Sequence, residues 1–565
     1  MGEGQGFARG LTHYGDRDFA LYLRRSFARS MGLSVEMLAK PVVGIAMTPS
    51  GFNNCHRTMP ELVEAVSRGV LAAGALPRPF PTVSLGEVFL EPTSMVYRNL
   101  MAMDVEEMAC AQPMDALVLI GGCDKTVPAQ LMGAVSAGVP AIQLVTGPMS
   151  TGRRRGERLG ACTDCRRFWG RFRAGEIDRA EIDAVEGQLA VTAGTCAVMG
   201  TASSMAIVAE VLGMALPGSA AIPAVSAHRL VAAEATGAAA ARLVARPIRP
   251  AEVVTEKSVE NALRVLMAVS GSTNAVIHLA AIAGRAGLRL DADRLNRLSD
   301  ETPVLVDLKP VGEGYMEDFD AAGGVGAVLR DLRPLLHLDA VDVTGATLAE
   351  RLAAPLDWVD RRVIRPIDDP VSPVGGLVAL SGTLAPDGAL FKRAAATPAL
   401  FETEGRAVVF ENLADLARRI DDPDLDVTPA DFLVLRNAGP VAAGMPEAGY
   451  LPIPRKLARQ GVKDMVRLSD ARMSGTAFGT VVLHVAPEAA LGGPLAAVRD
   501  GDRIRLSVRA RRIDLLVEAD EIARRLADRR PPAAPARGYR ALYARSVLQA
   551  PDGCDFDFLR ATPEA

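Results

Sequence analysis

The sequence lacks an excess of either charge. Its 565 residues carry 63 lysines and arginines against 67 aspartates and glutamates, a formal net charge of −4, spread evenly along the chain. Because a protein that neutralises nucleic-acid phosphates needs a basic face, we expect no nucleic-acid partner. Aromatic residues are scarce, at 4%, but 49% of the chain is hydrophobic, which excludes disorder and small disulfide scaffolds. A small molecule is the expected partner.

The sequence also lacks the cysteine pattern of a secreted protein. Its seven cysteines are odd in number and irregularly spaced, and the opening MGEGQGFARGLTHYGDRD contains no apolar signal segment. We therefore expect a reducing, cytoplasmic location, where a cysteine is a buried thiol, a catalytic thiol or a metal ligand.

One uncharged stretch of the sequence is long enough to cross a bilayer. Residues 188–209 carry no charged side chain, and about 20 apolar residues suffice for a membrane span. The stretch is rich in Gly, Ala, Ser and Thr rather than Leu, Ile and Phe, so its transfer to lipid gains little. We predict a buried, closely packed helix and no membrane partner.

The first third of the chain alternates short apolar runs with amphipathic stretches. The predicted strands are VVGIAM, PTVSLGE, ALVLIGG and AIQLVTG, and the predicted helices between them are MPELVEAVSRGVLAAG, SMVYRNLMAMDVEEMA and AQLMGAVSAG. This order indicates an α/β fold with a parallel sheet and flanking helices. Polar clusters at residues 53–56, 84–87 and 123–125 follow predicted strands, and ligands gather at such strand ends, so we expect one shared site.

After about residue 370 the chain changes to short β-like runs broken by Gly, Pro and Asp. GLVALSGTL, RAVVFEN, DFLVLRN, MVRLSD, GTVVLHVAP and RIRLSVRARRIDLLV predict a mostly β domain, a sandwich or a barrel. RPIDDPVSPVGG, at residues 365–374 and beyond, is typical of a boundary. We assign residues 1–368 to an N-terminal α/β domain and 369–565 to a C-terminal, barrel-like β domain.

Three cysteines stand in turns rich in small and polar residues, and all three are candidate cluster ligands: Cys55 in NNCHRT, Cys123 in GGCDKT and Cys196 in AGTCAVMGT. Three thiolates far apart in sequence suit an iron-sulfur cluster with one iron left open, since four protein ligands would saturate it. Burial as ordinary core thiols is the alternative reading.

Hard ligands lie beside one of these thiols. Asp124 and Lys125 follow Cys123 directly, and Glu87 and Glu447 are further candidate carboxylates. Carboxylate oxygens with open positions favour Mg²⁺.

A further cysteine pair, Cys162-Thr-Asp-Cys165, has the spacing of a redox or metal site. The sequence offers no second pair to complete a zinc site, and the neighbouring residues are rich in arginine. Its role is left open.

The motifs together carry a family resemblance. NNCHRT, GGCDKTVPA, TCAVMGTASSMA, GSTNAVIHL, RNAGPVAAGMPE, RLSDARMSGTAFG and HVAPEAALGGPLAAV, in this order over about residues 40–505, resemble the dihydroxy-acid dehydratase and phosphogluconate dehydratase family. The resemblance implies a homodimeric or homotetrameric hydro-lyase with an iron-sulfur cluster and Mg²⁺. Such an enzyme removes water from a 2,3-dihydroxy carboxylate and gives a 2-keto-3-deoxy acid.

The resemblance also implies residue roles. The cluster ligands of the family fall on Cys55, Cys123 and Cys196. Its magnesium ligands fall on Asp124, Glu447 and Lys125, a lysine that is carbamylated in family members, and its catalytic serine falls on Ser474 of RMSGT, with Thr476 beside it. Taken alone, without the family resemblance, Ser474 is better interpreted as a glycine-flanked turn serine bonded to its own backbone.

One position favours a subgroup. Members of the branched-chain amino-acid pathway have Ser-Asp-Gly at one strand end, whereas this chain has SLGE ending in Glu87, which resembles the sugar-acid (aldonate) dehydratases. The closing GCDFDFL resembles the same subgroup, and within it the L-arabinonate dehydratases. A 2Fe-2S cluster is favoured over 4Fe-4S. A dihydroxy-acid dehydratase and a non-catalytic sugar-acid-binding paralogue remain alternatives.

Two histidines stand in these motifs. His56, beside Cys55, is interpreted equally as a ligand and as a supporting partner or surface residue, and His278 in AVIHLA as a hydrogen-bonded core histidine.

Overall fold

The first third of the chain forms a four-stranded parallel sheet in the order β2-β1-β3-β4. The computed structural model describes residues 4–530 and 532–561. Strands β1 to β4 are Val42–Met47, Leu76–Pro81, Ala116–Gly121 and Ala141–Val145, and a small antiparallel hairpin follows, with β5 at Gly152–Arg154 and β6 at Glu157–Leu159.

Sixteen described helices surround this sheet and build the rest of the N-terminal half. They are α1 Arg17–Ser30, α2 Val35–Leu38, α3 Met59–Ala72, α4 Ser94–Ala111, α5 Thr126–Ala137, α6 Thr163–Ala174, α7 Arg179–Glu186, α8 Thr201–Val211, α9 Ala227–Ala245, α10 Pro250–Val253, α11 Glu256–Ala268, α12 Thr273–Arg285, α13 Ala292–Glu301, α14 Met316–Ala321, α15 Gly324–Asp331 and α16 Leu348–Arg351. The central strand β3 is buried along its whole length. A parallel sheet covered on both faces has such continuous apolar strands.

The C-terminal half closes into an eight-stranded barrel, as the β-like runs predict. Its strands are β7 Val378–Gly382, β8 Ala385–Phe391, β9 Glu402–Phe410, β10 Phe432–Leu435, β11 Arg467–Ser469, β12 Val481–Ala486, β13 Arg503–Ser507 and β14 Arg512–Leu515. Their order around the barrel is β10-β11-β12-β8-β7-β14-β13-β9. Its helices are α17 Leu413–Arg419, α18 Pro440–Ala443, α19 Arg455–Arg459, α20 Ala519–Ala527 and α21 Gly538–Ser546.

The two halves join over a short connecting segment. Residues near Ile364 and Ser372 still pair with the N-terminal half, through Val306 and Val304, and the barrel begins at Val378. The boundary at 368/369 falls within this segment and stays a prediction.

Two predicted elements lie elsewhere than expected. PTVSLGE was predicted as a strand, but β2 is Leu76–Pro81 and most of PTVSLGE follows it. Prolines in LPRPFP hide the strand, and they are tolerated because β2 lies at the edge of the sheet. In the uncharged stretch 188–209 only the part from Thr201 is helical, because the preceding residues form the turns that carry Cys196. No helix in the described ranges is both long and apolar enough to span a membrane.

Candidate active site

The polar clusters after β1, β2 and β3 meet at one edge of the sheet. His56 joins them: its Nδ1 lies 2.8 Å from the carbonyl oxygen of Thr48 and 3.2 Å from Ser84 Oγ, and its Nε2 accepts a hydrogen bond of 2.9 Å from Gly122 N–H. Since Nε2 accepts, Nδ1 carries the proton and donates to Thr48. Burial lowers the pKa of His56 to about 4. His56 is therefore a neutral, buried residue that fixes the turn before Cys123.

Two of the predicted cluster thiols are in contact. Cys55 lies in a short turn between β1 and α3, where its N–H donates to Asn53 Oδ1 at 3.1 Å. Cys123 follows β3 with a φ of 59°, a left-handed conformation that costs about 1–3 kcal/mol in a residue other than glycine. Contact with the Cys55 thiol, together with burial, raises the pKa of Cys123.

The third thiol reaches the same edge by a different route. The segment before Cys196 pairs with the chain that follows β4, since Thr195 N–H donates to the Gly147 carbonyl and Met149 N–H donates to the Thr195 carbonyl, both at 2.9 Å. The Cys55 thiol is close enough to raise the pKa of Cys196, after the larger effects of Cys162 and of burial.

A cluster of carboxylates lies next to the thiols. Oxygens of Glu87, Asp124 and Glu447 lie within 4.8 Å of one another, and Asp124 Oδ1 is 3.5 Å from Cys123 Sγ. Glu447 comes from the barrel, in the loop beyond β10, so both halves of the chain contribute. The carboxylate cluster therefore lies between them.

Two buried cations balance these carboxylates. Lys125 Nζ lies 2.5 Å from Asp124 Oδ2 and 3.0 Å from Glu87 Oε2, and its side chain is fully buried. Arg472, from the barrel, donates at 2.6 Å to both Glu87 and Glu447, and at 2.8 Å to the Met445 carbonyl.

The pKa values of Glu87 and Glu447 are shifted in opposite directions by these neighbours. Burial opposes the ionisation of Glu87, but Arg472 and Lys125 outweigh it and lower its pKa to about 2. Glu447 has its pKa raised to about 7, because burial and the nearby negative charges outweigh Arg472. Carboxylates whose pKa values are driven apart are common at functional sites.

The donor sets fit the two inorganic groups that the sequence predicts. Three carboxylates in a small volume supply the hard oxygen ligands that Mg²⁺ prefers. Cys55 contacts Cys123 and is near enough to Cys196 to affect its pKa, so the three thiols lie at one edge of the sheet. Cysteine thiolates are the protein ligands of iron-sulfur clusters.

Ser474 lies in a buried loop beyond β11. Its Oγ is 2.8 Å from Thr476 Oγ1, and Thr476 N–H donates to it at 3.5 Å. The N-terminal half holds this loop in place: Asn274 Nδ2 donates to the Met473 carbonyl at 2.9 Å, and Thr163 Oγ1 donates to the Thr476 carbonyl at 3.0 Å. The parallel strands β10 and β11 bring the loops of Glu447 and Ser474 to one end of the barrel.

Sequence reasoning missed two buried cations. Arg472 stands in the quoted motif RLSDARMSGTAFG, but only its contacts reveal a role. Lys392, at the end of β8, is 1% exposed and donates to the Gly475 carbonyl at 3.2 Å. Burial lowers the pKa of Lys392 to about 7. In the sequence, the one signal for Lys392 is its position directly after the apolar end of a strand.

His278 and Cys162 have contacts that the sequence does not predict. His278 is buried, as expected, but only its Nδ1 has a partner, Arg98 Nη1 at 3.1 Å, and its Nε2 has none within the described residues. Cys162 lies at the site: its Sγ is 3.7 Å from Cys196 Sγ, and hydrogen bonds with Cys165 and Cys196 lower the pKa of Cys162.

Comparison with protein families finds two matches that together cover most of the chain. Residues 40–351 match the dihydroxy-acid/6-phosphogluconate dehydratase N-terminal family, and residues 362–554 match the corresponding C-terminal family.

Individual relatives match almost end to end. The chain is 46% identical to the L-arabonate dehydratase of Azospirillum brasilense, over 98% of this chain and 97% of that protein. It is 46% identical to the 6-deoxy-6-sulfo-D-gluconate dehydratase of Pseudomonas putida, over 93% and 92%. It is 40% identical to the dihydroxy-acid dehydratase of Acidothermus cellulolyticus, over 95% and 97%.

Proposed function

This chain belongs to the dihydroxy-acid/6-phosphogluconate dehydratase family and is a hydro-lyase, and we propose that it dehydrates a sugar acid, an aldonate such as L-arabinonate, to the 2-keto-3-deoxy acid. Glu87 carries this choice, because its carboxylate lies with those of Asp124 and Glu447. The similarity to a protein named L-arabonate dehydratase supports the same substrate class.

The proposed cofactors are Mg²⁺ and an iron-sulfur cluster, with 2Fe-2S favoured over 4Fe-4S. Glu87, Asp124 and Glu447 would hold Mg²⁺, which supplies a Lewis acid for the carboxylate and 2-hydroxyl of the substrate. Cys55, Cys123 and Cys196 would hold the cluster, whose open iron supplies a second Lewis acid for the 3-hydroxyl.

Lys125 adds a ligand if it is carbamylated. Its Nζ already lies among the carboxylates, and conversion of the cation to a carbamate would place a further oxygen beside Asp124. Arg472 would then remain to neutralise Glu87 and Glu447.

Ser474 is the proposed base. Its Oγ would take the proton from C2, and the hydroxide leaves from C3, so that the enol product tautomerises to the 2-keto acid. A free serine is a weak base, but the hydroxyl and N–H of Thr476 both lie on its Oγ. Preorganised donors of this kind stabilise developing negative charge on oxygen. Exclusion of water by the buried loop strengthens these hydrogen bonds.

A substrate panel tests this function. Protein purified without oxygen is assayed for 2-keto acid with L-arabinonate, D-xylonate, D-galactonate, D-gluconate, 6-deoxy-6-sulfo-D-gluconate and dihydroxy-isovalerate. We expect turnover of an aldonate. Preference for dihydroxy-isovalerate would contradict the substrate class, and no turnover of any of them would favour a non-catalytic paralogue.

Ser474→Ala tests the base. We expect turnover to fall by about 10³-fold or more, while iron and magnesium contents stay at wild-type levels, because the serine contacts neither donor set. Arg459→Ala, on the exposed side of the barrel, is the control for handling losses. Full activity of the Ser474 variant would remove the serine from this role. Homodimeric or homotetrameric assembly and a cytoplasmic location remain predictions.

A further inference from the structure

The Cys162 and Cys165 pair is not used by the proposed dehydration. Both residues belong to the start of α6, where Cys162 is the residue before the first helical turn. The Cys162 thiol contacts two others, since its Sγ is 3.7 Å from Cys196 Sγ and it also forms a hydrogen bond with Cys165. All three are free thiols. Cys162 is therefore the middle member of a row of three.

The outer end of this row is open to small molecules. A cavity of about 640 Å³ is lined by Cys162 and Cys165, together with Trp169, Tyr450 and Phe478. Cys196 is not among its lining residues. A reagent that enters the cavity thus meets the Cys162 and Cys165 sulfurs before it meets Cys196.

The cavity carries an excess of positive charge. Five cationic side chains line it, and three of them, Arg167, Arg171 and Arg173, are paired with carboxylates. Within residues 4–530 and 532–561, Arg166 and Lys463 have no carboxylate partner, and the Arg166 guanidinium lies 5.1 Å from the centre of the Tyr450 ring. A concave surface of one charge raises the local concentration of ligands of the opposite charge.

We propose that Cys162 and Cys165 form a thiol–disulfide exchange site that keeps Cys196 in the thiol form, with an anionic low-molecular-weight disulfide of the glutathione type as its oxidant. The disulfide chemistry stands by itself. Its consequence, that a ligand thiol is kept ready for the cluster, rests on the proposed function.

The exchange proceeds in steps that balance. Glutathione disulfide reacts with the Cys162 thiolate to give a mixed disulfide on Cys162 and one glutathione thiolate. The Cys165 thiolate then attacks the Cys162 sulfur of that bond, which forms Cys162–Cys165 and releases the second glutathione thiolate. Cys196 stays a thiol throughout. Two thiols are oxidised, and one disulfide is reduced to two thiols.

The geometry favours these partners over the other cysteines. A sulfur–sulfur contact of 3.7 Å must close to about 2.05 Å, which side-chain rotation can supply without moving the backbone far. Cys110 is exposed on α4 and far from this row in the chain, and its Sγ lies against the Ala137 carbonyl. It offers a matched control.

Disulfide mapping tests the proposal. Full-length protein, stripped of metal by a chelator, is incubated with glutathione disulfide, alkylated, digested and analysed by mass spectrometry. We expect wild type to lose two of its seven thiols to a Cys162–Cys165 bridge, while Cys196 stays open to alkylation. In Cys165→Ser the mixed disulfide on Cys162 has the Cys196 thiol as its neighbour, at 3.7 Å between the two Sγ atoms, so we expect a Cys162–Cys196 bridge and no alkylation of Cys196.

The outcomes separate clearly. Cys110→Ser should give the wild-type bridge. A glutathione adduct that persists on Cys196 of wild type, or an oxidised wild type without the Cys162–Cys165 bridge, would overturn the proposal, and the wild-type result decides even if the Cys165 variant folds poorly. The map uses no turnover and no cluster, so its failure is distinct from failure of the substrate panel.

Discussion

Lys392 shows how one buried side chain links the barrel wall to the proposed base. Lys392 directly follows β8, and within the described ranges its ammonium has no carboxylate partner. Its hydrogen bond goes to the carbonyl of Gly475, the residue after Ser474. Because burial is the only influence on it, its pKa falls from the usual lysine range to about 7.

This lysine predicts a particular pH dependence of stability. Between the lowered folded pKa and the normal unfolded pKa the unfolded chain binds more protons, so Lys392 makes stability rise as pH rises above about 7. Below about pH 7 Lys392 is charged in both the folded and the unfolded state, so the free-energy cost of burying its charge no longer changes with pH. In Lys392→Met this contribution disappears. From about pH 6 to about pH 9 we therefore expect the thermal midpoint of wild type to rise by a few degrees relative to that of Lys392→Met.

The control for this prediction is an exposed lysine. Lys463→Met removes the same charge from a solvent-facing position, and its midpoint should follow wild type across the same pH range. If the thermal midpoints of Lys392→Met and wild type differed by the same amount at every pH, burial would not lower the pKa of Lys392.

At the scale of elements, the crossing of α3 and α9 holds the Cys55 turn. The two helices touch through glycines: a Cβ added at Gly69 would lie 1.9 Å from the Glu234 carbonyl oxygen, and one at Gly237 would lie 2.1 Å from that of Val66. Backbone atoms on both sides cannot give way as a flexible side chain can. Since α3 begins at Met59, shortly after Cys55, a shift of this helix moves the thiol.

Gly69→Ala is therefore expected to destabilise the protein. Overpacking of this kind costs about 1–3 kcal/mol, and we expect a lower thermal midpoint together with reduced iron content. Gly170→Ala, in α6, is the control, because an added Cβ there meets nothing within 4 Å; it should be neutral or stabilising by up to about 1 kcal/mol. Equal midpoints for the two variants would contradict tight packing of α3 on α9.

The elements that the sequence predicted are those with a clear period. β1, β3, β4 and the helices between them follow from local alternation, and the barrel follows from repeated β-like runs. β2 and β8 were missed because Pro, Asp and Gly interrupt their patterns, and tertiary pairing overrides such local signals. Helix α8 starts later than the uncharged stretch predicts, because the small and polar residues of AGTCAVMGT form the turn that carries Cys196.

The sequence predicted those site residues that stand in short, distinctive motifs. The thiols and carboxylates stand in distinctive turns, and their convergence follows from the geometry of parallel strands. Arg472 and Lys392 were not predicted, since each gains its role from a partner distant in the chain: Arg472 and Glu87 are 385 positions apart, and Lys392 and Gly475 are 83. The contact of Cys162 with Cys196 likewise depends on the tertiary fold.

At the scale of the whole molecule, the proposed metal site lies across the interface of the two halves. Glu87 and Asp124 come from the sheet edge and Glu447 from the barrel, and Arg472 already bridges them. A ligand that binds all three carboxylates in the folded protein, and not in the unfolded chain, stabilises the assembled pair of halves by mass action, by about 2.7 kcal/mol at a hundred times its dissociation constant.

Mg²⁺ should therefore raise the thermal midpoint of the full-length protein, and Glu447→Gln should lose most of that gain because only the sheet-edge carboxylates keep their charge. The amide still accepts a hydrogen bond from Arg472, so the variant retains the bridge between the halves while it loses one charge. Calorimetry compares Mg²⁺ with sodium chloride at equal ionic strength, which removes general screening from the comparison. If Mg²⁺ raised the midpoints of wild type and Glu447→Gln equally, the barrel carboxylate would not be a ligand, and the stabilisation would come from the sheet-edge carboxylates alone.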